Sequence, residues 1–212
     1  EVIGNTDPLD KNVPGITKII NNQESRIEQE TPWAWYISRA SGLMAYFLLW
    51  WVMFFGLAIR TPILKSVFVP IFSLEIHCWL SLQSLFFVFF HAGSLLVDKY
   101  LNFNVWDIIV PFHSQTYTSE IALGILGLYL MAVLIITSYF KNIISQKIWR
   151  SIHWMNIVLF AIVTIHAFFI GTDLKNTPWL QNTFIGMNIF LIFIIIVNLS
   201  VRLKNAIFSK KA

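Results

Sequence analysis

His77 and His91 lie 14 residues apart in one apolar stretch, and His153 and His166 lie 13 apart in another. A buried imidazole needs its ring nitrogens hydrogen-bonded or bound to a metal, and hydrocarbon offers no partner. If the two stretches are helices running the same way across a bilayer, His77 meets His153 at one depth. His91 then meets His166 at a second depth, ~20 Å away. Facing histidines inside a helical bundle are a usual way to hold a haem iron from both sides. Zinc or copper would want three or four ligands converging on one point, and these pairs lie too far apart to supply them. The chemistry this pattern points to is single-electron transfer, with two irons dividing one long crossing into shorter steps. His113, in a polar loop, reads as a surface residue.

Such a rack needs bilayer-spanning helices, and the composition supplies them. Of the 212 residues, 57% are hydrophobic and 12% charged, with mean hydropathy +0.67. A soluble domain carries about 25% charged residues, so the expected fold class is an all-α membrane protein. Five apolar segments, roughly 34–58, 71–97, 119–140, 148–171 and 182–203, are each long enough to cross the hydrocarbon layer. They predict a bundle of five transmembrane helices with a di-haem core. An extracytoplasmic arm over 1–32 precedes the 33–203 membrane domain, with a short helix around Ile16–Glu28, and a cytoplasmic tail over 204–212 follows it. On an ideal helix, 14 residues return to about 40° short of the same face, but 13 fall about 140° short. The fourth segment must therefore contain a tightening, a bulge or a different ring tilt.

A pI of about 9.2 does not indicate nucleic acid here. The basic residues sit in short loops between apolar runs, where positive charge reports topology. Arg60, Lys65, Lys141, Lys147, Arg150, Arg202, Lys204, Lys210 and Lys211 fall on one side, where Glu75 is the sole nearby carboxylate. The other ten of the eleven acidic residues fall on the opposite side. The basic side is expected to be cytoplasmic, with the N-terminus outside and the C-terminus inside a bacterial-type inner membrane. A start at Glu1 rather than Met fits a signal removed from an exported N-terminus. Cys78 is the single cysteine, so neither an intrachain disulfide nor a cysteine-based cluster is possible.

Several short words of sequence surround the histidines: Trp35–Gly42 (WYISRASG), Glu75-Ile76-His77, Val110-Pro111-Phe112, Trp149–His153 (WRSIH) and Gly171-Thr172-Asp173. Together with the 14- and 13-residue steps they resemble the ferric reductase-like transmembrane domain. That domain is shared by the haem-binding membrane subunit of bacterial periplasmic methionine-sulfoxide reductase systems and by the membrane part of NADPH oxidases. The resemblance covers about residues 33–203. It implies two haem b groups, one on His77 and His153 and one on His91 and His166. It also implies electron flow from the cytoplasmic side or the quinone pool to an acceptor outside, and marks Arg39 as a residue beside the outer haem. Arg39 enters the first segment from the outside, where a guanidinium can pair with a haem propionate, although an interfacial arginine can equally snorkel to water. Arg150, three residues before His153, has the same two readings at the inner haem. Many relatives carry a basic residue directly after the first histidine, where this chain has Cys78. Only Val201–Ala212 follow the last segment, and they hold no Gly-rich dinucleotide motif, so hydride transfer from NAD(P)H is not expected of these residues.

The expected function is thus that of a transmembrane b-type cytochrome, an electron-transfer subunit rather than a self-sufficient enzyme. Its partners would be membrane lipid, a quinone or cytoplasmic reductase as donor, and an extracytoplasmic redox protein or larger membrane complex as acceptor. One alternative is a reductase of ferric chelates or oxygen acting at the outer haem. Another is a non-redox accessory subunit whose histidines are structural. Among lesser features, Phe86, Phe87, Phe89 and Phe90 could pack on porphyrin or face lipid. Gln83 could bond to a neighbouring helix, and Gly124 and Gly127 would allow close helix packing. Trp149 would mark the inner headgroup belt.

Overall fold

A computed structural model describes residues 33–59, 61, 74–98 and 103–209, with only the helical backbone described beyond Val201. The arm expected over 1–32, with its short helix, lies outside the described residues, as do Arg60 and Lys65.

The described residues form helices and connecting turns, without strands. In chain order the helices are α1 (Trp33–Ala58), α2 (Leu74–Leu95), α3 (Val105–Ile109), α4 (Thr118–Tyr139), α5 (Gln146–Trp154), α6 (Asn156–Ile170), α7 (Thr172–Asn176) and α8 (Pro178–Ser209). Five runs are long and apolar enough to cross a membrane: α1, α2, α4, α5 with α6, and α8 up to Val201. Each agrees with a sequence-predicted span to within a few residues at its ends. The last helix continues past 203 into what the charges suggested was a tail. Its start is set by Pro178, whose fixed φ and missing N–H suit a first helical position.

The spans are not equivalent. Over its most apolar window α1 is 56% buried, whereas the other four are 11–28% buried. α1 is therefore the centre post, and the others present much of their surface outward, as a lipid-facing ring would. Along α1 an aromatic column, Trp50, Phe54 and Phe190 of α8, stacks at centroid separations of 5.6–6.5 Å. Polar side chains staple the helices at depths where lipid would leave them unsatisfied. The Tyr46 hydroxyl donates to Asn188 Oδ1 at 2.7 Å and lies 3.1 Å from Thr164 Oγ1, which ties α1, α6 and α8 together. Asn188 Nδ2 in turn donates to the Phe184 carbonyl. Nearer the other end of α8, Asn198 Nδ2 donates to Thr61 Oγ1 at 2.7 Å.

Of the tightening, bulge or ring tilt that the 13-residue step allowed, the fourth span shows a tightening, just after His153. α5 ends at Trp154 and α6 begins at Asn156, with Met155 between them. The Met155 N–H donates to the Ile152 carbonyl at 2.9 Å, a 3₁₀-type closure, and the Asn156 side chain caps the His153 carbonyl. A 3₁₀ turn advances about 120° per residue against about 100° for an α-turn. The tightening thus recovers part of the missing rotation.

Between α2 and α4, α3 is closed by a capping box in which Asn104 accepts from Asp107 N–H and Asp107 accepts from Asn104 N–H. His113 Nδ1 lies 2.9 Å from Asp107 Oδ1, so this surface histidine clasps the loop. The clasp spans Phe112, whose φ of 67° is rare for an L side chain. The Asn104 N–H and the His113 contact hold the Asp107 carboxyl below its ordinary pKa.

Candidate functional site

Both histidine pairs are brought together. The His77 and His153 rings lie 6.4 Å apart, centroid to centroid, with their planes 60° apart. At the other level, His91 lies close enough to His166 to interact with it electrostatically, and both rings are half-buried. His77 and His91 share one face of α2 with Ser84, whose hydroxyl donates to the Ala45 carbonyl of α1 at 3.0 Å. This fixes the face that α2 turns inward.

α1 meets that face with glycines at the same 14-residue interval, Gly42 and Gly56. A β-carbon on Gly42 would lie 3.0 Å from His91 Nδ1, and one on Gly56 would lie 3.4 Å from His77 Cε1. The antiparallel register of α1 and α2 thus places a missing side chain opposite each imidazole. On the far side, Gly124 of α4 does the same for His166, with a hypothetical β-carbon 2.7 Å from Cε1. Gly127, one turn on, makes room for Val163 of α6. The glycines expected to allow close packing do so, and one of them packs against a histidine.

The tautomers of His91 and His166 are fixed by backbone carbonyls. His91 Nδ1 lies 2.8 Å from the Ser38 carbonyl and 3.4 Å from the Ser38 hydroxyl. His166 Nδ1 lies 2.7 Å from the Glu120 carbonyl. A carbonyl only accepts, so each Nδ1 carries the proton and each Nε2 keeps a lone pair for a metal. A histidine that ligates metal commonly donates its other N–H to a carbonyl in this way, which orients the ring and raises its basicity.

The arginines behave differently from one another. Arg39, on the turn of α1 that holds His91, makes a two-pronged ion pair with Asp173 of α7, Nε donating to Oδ2 at 2.6 Å and Nη2 donating to Oδ1. Its guanidinium also lies 3.8 Å over the Trp35 ring. α7 directly follows the helix carrying His166, so Ser38 and Arg39 together tie both histidine-bearing helices to α1. The Gly171-Thr172-Asp173 word carried that signal, but its partner could not be read without the fold. Arg150 is exposed and donates to the Gln146 carbonyl of its own helix at 3.1 Å, away from His153. Glu75, Cys78 and Gln83 are exposed. Phe86, Phe89 and Phe90 are 49–63% exposed and lie on faces of α2 turned from the histidines, which favours the lipid-facing reading.

Among the described residues no three or more His, Cys, Asp or Glu side chains converge as a metal cage. The histidines come in twos, one pair at each level. The 6.4 Å between the His77 and His153 ring centroids would leave room for a metal about 2.0 Å from one nitrogen of each ring.

The sequence model of the ferric reductase like transmembrane component family matches residues 41–165, and the chain belongs to this family. The match takes in His77, His91 and His153 and ends one residue before His166. No curated protein and no solved structure matches the chain. Five apolar helices and this family make the chain an integral membrane protein with a redox role.

Proposed function

We propose that the chain is a transmembrane b-type cytochrome holding two haem b groups, one on His77 and His153 and the other on His91 and His166. The observation that carries this reading is the 6.4 Å pairing of His77 with His153, on helices that also bring His91 to His166. When bound, haem iron supplies reversible one-electron chemistry. The protein's part is to present lone pairs at fixed depths, and the Ser38 and Glu120 carbonyls do this for one pair. Glycines at 42, 56 and 124 leave the rings room, and the apolar bundle keeps water from the crossing. Arg39, shared with Asp173, is the proposed propionate partner at the His91 end.

By the positive-inside argument, the His91 and His166 level is extracytoplasmic and the His77 and His153 level cytoplasmic. Electrons then run from a quinone or cytoplasmic reductase to an extracytoplasmic redox partner, where chemistry on a terminal substrate takes place. The test is the haem content of the purified chain together with its reduced-minus-oxidised spectrum. Two b-type haems per chain are expected, and a chain purified without haem that takes up none on reconstitution overturns the reading.

A further inference from the structure

Trp149 occupies a position that an interfacial anchor does not explain. It lies one turn before His153 on α5, and the two rings stack at 5.0 Å with their planes 23° apart. The indole ring is half-buried, but its nitrogen is buried and has no acceptor among the described residues. A tryptophan of the headgroup belt turns its N–H to water and lipid headgroups. Here the polar tip is buried instead, on a ring stacked against His153 of the His77 and His153 pair. A buried N–H without an acceptor costs about 1–3 kcal/mol, so its position calls for an acceptor supplied by something other than the described chain.

We infer that the Trp149 indole N–H donates a hydrogen bond to a propionate of the haem held by His77 and His153. The inference rests on the proposed haem ligation. An axial imidazole stands upright on the porphyrin plane, so an indole stacked on it turns an edge, and not a face, to the macrocycle. The donor is neutral and the acceptor anionic, and such charge-assisted bonds are about twice as strong as neutral ones. Of the two readings open for Arg150, its exposure and its bond along its own helix favour the interfacial one, which leaves the propionate to its neighbour. Trp149 is a positioning residue: it fixes the cofactor's carboxylate and, through the stack, the plane of His153.

The experiment labels the tryptophan indoles with ¹⁵N in the full chain and uses Trp149→Phe, which keeps the stack, to assign the Trp149 N–H resonance. Spectra are compared for the apo chain, the chain loaded with haem and held in its diamagnetic reduced state, and the chain loaded with haem dimethyl ester. A downfield shift on loading haem that is much smaller with the ester is expected. Trp149→Phe should still bind two haems, while the midpoint potential of one falls and that of the other stays. Equal shifts with haem and its ester, or an unmoved resonance in a chain carrying two haems, overturn the inference and leave the ligation standing. A chain that takes up no haem overturns both.

Discussion

Gly124 meets the imidazole of His166 more closely than a β-carbon permits: a methyl placed there would stand 2.7 Å from Cε1 and 2.9 Å from Nδ1. The ring cannot simply swing away, because its Nδ1–H is tied to the Glu120 carbonyl at 2.7 Å on the same helix as the glycine. Gly124→Ala should therefore displace His166 and cost about 1–3 kcal/mol by overpacking. Gly42→Ala, at 3.0 Å from His91 Nδ1, should cost less, and Gly56→Ala, at 3.4 Å from His77 Cε1, should be nearly silent. Haem spectra of the three variants should rank in that order, and a Gly56→Ala defect larger than that of Gly124→Ala would contradict it.

His91→Ala and His166→Ala should each remove one haem and spare much of the other, since the two levels use separate ligand pairs. Stoichiometry by pyridine haemochrome measures this. Retention of both haems in either variant would refute the ligand assignment.

Arg39 and Asp173 should show coupling in a double-mutant cycle. Both side chains are about a quarter exposed, so the coupling is set near the top of the surface range, about 1 kcal/mol. Arg39→Ala should loosen the end of α6 and lower the thermal midpoint, and Asp173→Ala in the same background should add little more. Additive losses would mean that the pair contributes nothing.

Tyr46→Phe removes a hydroxyl shared by Thr164 and Asn188 while keeping the ring. Interhelical hydrogen bonds in membranes measure about 0.6 kcal/mol on average, with a maximum near 1.7. A loss of about 1 kcal/mol in a reversible unfolding assay is expected, with haem spectra unchanged.

The 103–114 loop should fail in acid. The folded Asp107 carboxyl titrates below its ordinary value of 3.8. Its contribution to the loop is therefore full above that value and fades as pH falls through the lower folded pKa. Following Trp106 indole chemical shift against pH should show one transition below 3.8, moved upward by His113→Ala, which removes the side-chain partner of the carboxylate and keeps the Asn104 backbone N–H.

Apolar length and loop charge made five spans legible, because bilayer thickness imposes a length that few soluble helices reach. The histidine spacing made the pairing legible, because depth along a helix is linear in residue number. Rotation was not legible. The 13-residue step left a tightening, a bulge or a ring tilt open, and the 3₁₀ closure at Met155 has no strong local signature, since neither proline nor glycine marks it. Tertiary partners were equally hidden. Asp173 cannot be matched to Arg39 across 134 residues, and Trp149, whose nitrogen is buried, reads in sequence as one more belt tryptophan.

The interruption at Met155 has a consequence for how the two levels answer to change. His153 rides on a nine-residue segment and His166 on a fifteen-residue one, joined at Met155 by a 3₁₀-type closure. Under the proposed ligation each segment carries one ligand of one haem, so a substitution in α5 bears first on the level that receives electrons and one in α6 on the level that releases them.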